Sequence, residues 1–229
     1  RAGNVATEFL KGYSGYLQTD GYSGYARVGN SPGIVHVGCM AHIRRQFYDA
    51  DQAANGKGDA ADMLAMIREF YHEEELLRAR YEHNELKEAA FVGKRKKLQE
   101  PRLQHMYEWL IARNMRVAPR SGLGKAISYA LGQWQYMIHY LDHSLLTPDN
   151  NGLENAIRPF VVGRKNWLFS NTPSGAHTSA GLYSLIETGK ANNHEPYKYL
   201  CYIFDMLPKA KTLEEKLALL PYRLDPASY

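Results

Sequence analysis

Residues 149–169, reading DNNGLENAIRPFVVGRKNWLF, set the carboxylate of Glu154 among asparagines and the cations Arg158, Arg164 and Lys165. That combination suits metal-assisted chemistry on phosphate, because a carboxylate can hold a hard divalent cation while basic side chains neutralise phosphate oxygens. A second carboxylate of the same kind stands upstream in GYLQTDGYSGY, where a β-type run, Tyr16 to Thr19, ends at Asp20 and breaks into glycines. Each acid also has a plainer reading. Asp before Gly is common turn chemistry, and Glu154 four residues ahead of Arg158 makes an ordinary helix ion pair. Cys39 and His42 have the spacing of a metal-ligand pair. A structural zinc site uses four ligands and no second suitable pair follows, so a buried thiol hydrogen-bonded to histidine is the preferred reading. Tyr13, Tyr16, Tyr22 and Tyr25 could stack on bases or fill a core. No serine elbow, phosphate-cradling glycine loop or dinucleotide fingerprint occurs, which argues against serine hydrolysis, nucleotide hydrolysis and hydride transfer.

An acid at a strand end and an acid on a helix can share one cleft only if the elements between them fold back. Val5, Phe9 and Leu10 are spaced for a short helix over 2–10, and Gly12 follows as a stop. The segment GYSGYARVGNSPG reads as loop, and Ile34 to Val37 as a second β run. Cys39 to Ala50 should turn helical, with Ile43 and Phe47 on one face and Arg44 and Arg45 on the other. From Ala60 onward Met63, Ile67, Phe70, Leu77 and Tyr81 follow the period of a long helix. Another helix is expected over 104–113, and a further one along the seam Leu123, Ile127, Ala130, Trp134, Met137 and Leu141. The GKRKK run at 93–97 is expected as a solvated turn between helices, with a phosphate-binding patch as the alternative.

Asp149 and Asn150 are good caps for a helix that turns Leu153 and Ile157 inward and Glu154 and Arg158 toward another face. That helix should end or kink near Arg158, since Pro159 lacks a backbone donor. An extended aromatic piece over 166–169, a polar loop through His177 and helices near 179–192, 196–207 and 213–220 complete the expected order.

With 229 residues and 45% hydrophobic content, the chain can build one large domain or a domain with a sizeable insertion, and the second is favoured. The net charge of +4 permits a polyanionic partner without demanding one. No apolar run approaches the roughly 20 residues of a membrane span. Two distant cysteines, Cys39 and Cys201, make no disulfide framework, and no charged-then-apolar leader opens the chain, which points to a reducing cytoplasm. The chain opens at Arg1 rather than Met, so residues upstream of it are expected.

The stretches LQTDGYSGY, HVGCMAHIRRQF, DNNGLENAIRPFVVGRKNWLFSN and YSLIETGKANNHEPYKYL, in order and across nearly the whole chain, together resemble the bacterial transposases of the insertion-sequence-66 family. The resemblance implies a DDE transposase with a ribonuclease-H-like catalytic core, here a helix-rich α/β fold comprising a partial core, a large α-helical insertion and C-terminal helices. It implies a core in two parts, 1–50 and 146–195, the insertion at 51–145 and a helical tail at 196–229. Asp20 would be the second catalytic acid and Glu154 the third, both metal ligands. Cys39 and His42 look like the Cys-x-x-His element of several DDE groups, which would brace the insertion against the core. The first acid lies upstream of the opening helix in that family, so residues 1–229 alone are expected to lack strand-transfer activity.

What the resemblance implies about mechanism is cleavage of transposon ends by water, then attack of the freed 3′ hydroxyl on target DNA, with two Mg²⁺ or Mn²⁺ ions as cofactors. Arg158, Arg164 and Lys165 would hold the DNA backbone, and Arg44 and Arg45 would extend that track. The expected partners are transposon-end and target DNA and further copies of the chain, in a bacterial cytoplasm at the nucleoid. A nuclease of the same fold and a non-catalytic remnant or helical assembly module are the alternatives.

Overall fold

Two short runs, Gly15–Gln18 (β1) and Ile34–Val37 (β2), pair in parallel with Gly15 opposite Ile34 and Gln18 opposite Val37. Parallel strands need a crossover, and the glycine-rich segment between them supplies it. That segment is partly helical rather than all loop: a 3₁₀ turn at Ser23–Tyr25 leads into a helical turn, Ala26–Gly29 (α2). In this structure, a computed structural model, residues 3–167 and 170–229 are described, with every side chain in them except those of Arg164 and Trp167. The expected aromatic strand therefore falls partly outside the described residues, at 168–169. Its first half, Asn166 and Trp167, is helical.

A helix at Gly3–Phe9 (α1) precedes β1. After β2 come Met40–Ala53 (α3), Ala60–Glu82 (α4), Glu88–Asn114 (α5) and Gly122–Met137 (α6), then a 3₁₀ turn at Ile138–Asp142. The helical stripes read from the sequence are the ones that bury. Ile43, Phe47, Met63, Ile67, Phe70, Ile127, Ala130 and Met137 are all within 1% of full burial and share one core with Val37. Each large side chain in it contributes about 1.5–3 kcal/mol by leaving water.

The GKRKK expectation is overturned. Residues 93–97 lie inside α5, and Arg95 is fully buried while Lys94 and Lys97 are exposed. The deciding pattern is Phe91, Arg95, Gln99, Leu103, Met106 and Leu110, a buried helical stripe that happens to carry a guanidinium. Arg95 meets buried Glu74 at 3.2 Å and donates to the carbonyls of Tyr140 at 2.8 Å and His143 at 3.0 Å. Its ring contact with Phe91, 4.3 Å from the centroid, covers one face of the guanidinium. Arg78 adds bonds to Glu74 and to the Leu146 carbonyl. Burial pushes the Glu74 carboxyl up and the Arg95 guanidinium down from their ordinary values, each opposed by the partner's charge. The charge cluster thus ties α4 and α5 to the segment 140–146.

The chain divides into two compact units, residues 1–151 and 152–229. In the second, most of Asn151–Trp167 (α7) is followed by Pro173–Ala191 (α8), Pro196–Met206 (α9) and Leu213–Ala218 (α10). Of the expected end or kink near Arg158, the end is absent, and α7 runs through Pro159. A proline costs one backbone bond, and continuation of the helix on both sides outweighs that loss, as it does at Pro101 in α5. The loop expected through His177 is also helical: Pro173 at the first turn and the Thr172 hydroxyl, accepting from Gly175 N at 3.0 Å, start α8 early. Leu153 and Ile157 do not point inward; they are 59% and 49% exposed. Periodicity assigns residues to a common face of a helix without deciding whether that face is covered. His194, buried at 4% exposure, bonds Tyr229 and the Pro221 carbonyl and so fastens the C-terminal turn to α9.

Candidate functional site

Because β1 and β2 are parallel, the residues following them emerge at one end of the sheet, the end at which open parallel sheets commonly place ligands. Asp20 follows β1 there, and Cys39 and His42 follow β2. Asp20 is half-buried, and its Oδ1 accepts from Tyr22 N at 3.0 Å in a local turn. The turn chemistry considered for Asp20 is therefore present, yet it engages one carboxylate oxygen. Among the described residues Oδ2 has no hydrogen-bond partner.

The backbone of Asp20 is held from outside the turn. The hydroxyl of Tyr129 on α6 donates to its carbonyl, and burial pushes that hydroxyl up to about 12, so it remains a donor across neutral pH. Gly21 has φ +73°, and a Cβ there would lie 2.7 Å from Gln133 Oε1 and 2.9 Å from the Tyr129 hydroxyl. Glycine is required twice over, by backbone conformation and by the close approach of α6. One residue before Asp20, Thr19 meets His36 of β2 at 2.7 Å, both buried, and His36 packs on Tyr136. Burial holds the His36 imidazole below its ordinary value, with His139 adding to the effect, which favours the neutral ring.

The entry to α7 is fastened to the same strand ends. Gln18 donates to the carbonyls of Thr147 at 2.8 Å and Gly38 at 3.2 Å, and Met40 N donates to Pro148 O at 2.8 Å. Asp149 caps α7 by accepting from Asn151 N at 3.0 Å, and its other oxygen accepts from Tyr71 on α4 at 2.8 Å. Of the two caps expected, Asp149 is present, whereas Asn150 Oδ1 is buried without a hydrogen-bond partner among the described residues.

Cys39 and His42 meet at 3.2 Å between Sγ and Nδ1. Burial pushes the Cys39 thiol up, opposed by amides that include that of Asn150, so the sulfur also touches the approach to α7. Among the described residues no group of three or more His, Cys, Asp or Glu side chains could hold a metal ion, and a zinc site built on this pair is not present there.

Asp20 belongs to the first unit and Glu154 to the second. Glu154 is half-buried on the first turn of α7, four residues before exposed Arg158, and Lys165 is exposed seven residues further on the same helix. Arg164 lies on α7 with its side chain outside the described residues. Arg44 and Arg45 are both exposed on α3, and Arg44 lines a cleft against α4. Tyr129, Gln133, Thr19 and His36 are the positioning residues missing from the sequence reading. Tyr129 and Gln133 flank the apolar seam of α6, where periodicity assigns no role.

The family model described as "Transposase IS66 family" matches residues 1–178, and that described as "IS66 C-terminal element" matches residues 184–222. Uncharacterized protein y4qI of Sinorhizobium fredii (strain NBRC 101917 / NGR234) is 30% identical over 237 residues, covering 99% of this chain and 42% of its own length. Uncharacterized protein y4jD of the same organism is 27% identical over 229 residues, covering 97% of this chain and 43% of its own length. The chain thus spans about two-fifths of the length of these relatives. No solved structure matches it significantly.

Proposed function

The chain belongs to the IS66 transposase family, and from that premise we propose that it carries part of a DDE catalytic centre which, in the whole protein, cleaves transposon DNA ends and joins them to target DNA. The observation that carries this reading is Asp20, held at the carboxyl end of a parallel strand with one carboxylate oxygen available, while the approach to α7 is bonded to the same strand ends. We take β1 and β2 as part of a ribonuclease-H-like core, 51–145 as its helical insertion and 196–229 as a tail. Asp20 is then the second acid and Glu154 the third. The first is assigned to residues outside 1–229, so this chain alone would not transfer strands.

Carboxylate oxygens are the donors that Mg²⁺ and Mn²⁺ prefer, and Asp20 fits that chemistry. With no three ligating side chains grouped among the described residues, the fit is that of a partial donor set. Asp20 and Glu154 would hold the ions, which when bound supply neutralisation of charge on the attacking and leaving oxygens. The remaining work falls to the chain itself. Tyr129 and the Gly21 turn fix the direction of Asp20, and the Asp149 cap fixes the start of the helix bearing Glu154. Arg158 and Lys165, seven apart on one helical face, bind backbone phosphate together with Arg164, Arg44 and Arg45. Such contacts add affinity that weakens with salt and do not read sequence. Cys39 and His42, which contact each other, are assigned the role of bracing the helical block against the strand ends.

Among the described residues no helix is long and apolar enough to cross a membrane. We place the working protein in the bacterial cytoplasm, at the nucleoid when bound to DNA, as a homo-oligomer. The test is cleavage and joining of transposon-end DNA by the full-length protein with Mg²⁺ or Mn²⁺. Asp20→Asn and Glu154→Gln should each slow cleavage at least about a thousandfold, equivalent to ~4 kcal/mol in the barrier. Unchanged rates in either variant would remove that residue from the centre, and cutting without joining would make the protein a nuclease.

A further inference from the structure

We propose that the cleft between α3 and α4 binds single-stranded DNA, taking one nucleotide with its phosphate on Arg44 and Arg68 and its base over Tyr48. The inference rests on the reading of the chain as a DNA-processing protein and adds a site to it. The cleft encloses about 590 Å³, within the size range of ligand pockets. Arg44, Tyr48 and Asp51 line one wall from successive turns of α3, and Arg68 and Tyr71 line the other from α4.

Three features point to a nucleotide. First, apart from Arg68 every arginine of α4 and α5 is held in an ion pair, namely Arg78, Arg80, Arg95, Arg102 and Arg113. Among the described residues Arg44 and Arg68 have no ion pair, and both are exposed at the cleft. Two uncommitted cations across one opening suit a phosphodiester. Second, Tyr48 lines the same cleft and is 47% exposed, a ring available for stacking. Third, the Oδ1 of Asp51 is buried without a hydrogen-bond partner. A buried acceptor left unpaired rewards a ligand that brings a donor, and the amino group of adenine, cytosine or guanine is one. The carboxylates of Asp51 and Glu75, also in the lining, would repel a second phosphate and so orient the ligand base-inward.

A duplex does not suit the space, because its bases are stacked on each other and their faces are closed to Tyr48. The position of the cleft fits a strand approaching the proposed centre. Its wall residue Tyr71 bonds Asp149, the cap of α7, and Arg44 acts electrostatically on Tyr71. A strand seated in the cleft therefore passes the entry to that helix.

The test is fluorescence anisotropy of the chain with a labelled mixed-sequence single strand and with the matching duplex, in EDTA, across a salt series. Chelation keeps the proposed metal ligands out of the measurement. The single strand should bind more tightly than the duplex. Arg44→Ala with Arg68→Ala should lower its affinity at least tenfold and flatten the salt slope by about 0.7, the share of the one single-strand phosphate that is no longer neutralised. Tyr48→Ala should weaken binding at least about fivefold, and Tyr48→Phe should restore it. These side chains are exposed, so the substitutions spare the core. Single-strand binding unchanged in the arginine and Tyr48→Ala variants would overturn the site while leaving the cleavage reading intact. Failure of the cleavage reading would show separately, as an unchanged cleavage rate in Asp20→Asn.

Discussion

The hydroxyl of Tyr129 donates to the backbone carbonyl of Asp20 at 2.9 Å across 109 residues of sequence. A helix of the central block thus holds the loop that presents the proposed catalytic acid. In the proposed reading the block is then a structural part of the site, in addition to the insertion it is taken to be.

Tyr129→Phe removes that one bond and keeps the ring. Stability should fall by about 0.5–1.5 kcal/mol, read from urea denaturation of the chain. In the full-length protein the rate of cleavage should fall while the affinity for DNA stays unchanged, because Tyr129 acts through Asp20 and touches no phosphate in this reading.

Gly21→Ala places a methyl group at φ +73° within 3 Å of Gln133 and Tyr129. The conformational cost alone is about 1–2 kcal/mol. Pairing it with Gln133→Ala should relieve the clash and recover part of the loss, since the far end of a side chain can be removed and a left-handed backbone cannot. A thermal melt of single and double variants checks this.

Arg95→Met leaves Glu74 buried and loses donors to several carbonyls. Stability should drop by about 3–5 kcal/mol. Adding Glu74→Leu should recover part of it, because the second change removes a buried carboxylate that Arg78 alone then pairs. Arg78 retains its bond to the Leu146 carbonyl in both variants. A double-mutant cycle by urea unfolding measures the coupling.

His36 is held below its ordinary imidazole value of 6.5, chiefly by burial. The unfolded chain therefore takes up this proton at a higher pH than the folded chain does. The contribution of neutral His36 is fully present above about 6.5 and is lost as pH falls from there through the lowered native value. Urea midpoints should decline between pH 7.5 and 5.5, and His36→Phe should flatten that decline. Thr19→Val, which removes the partner at 2.7 Å, should destabilise by about 1–3 kcal/mol at pH 7.5.

The sequence by itself determined the elements whose signal is local. Ile34–Val37 reads as a strand from β-branched residues, and Met63, Ile67 and Phe70 read as a buried stripe from their spacing; the structure agrees on each. The Asp149 cap was legible for the same reason, since capping concerns a side chain and amides two or three residues away. The family also lay in local letters, in the stretches around Asp20, Cys39 and Glu154. Only the tertiary structure decided what those letters do when local rules conflict. A run of four cations became a helix with one arginine inside because Phe91 and Gln99 place Arg95 toward Glu74. Pro159 sits within a helix, and Leu153 faces outward although its period marks it as apolar-faced. Tyr129, Gln133 and His36 entered the site only through contacts between distant segments. Spacing along a chain reports which side chains share a face, and what lies opposite that face is set by packing.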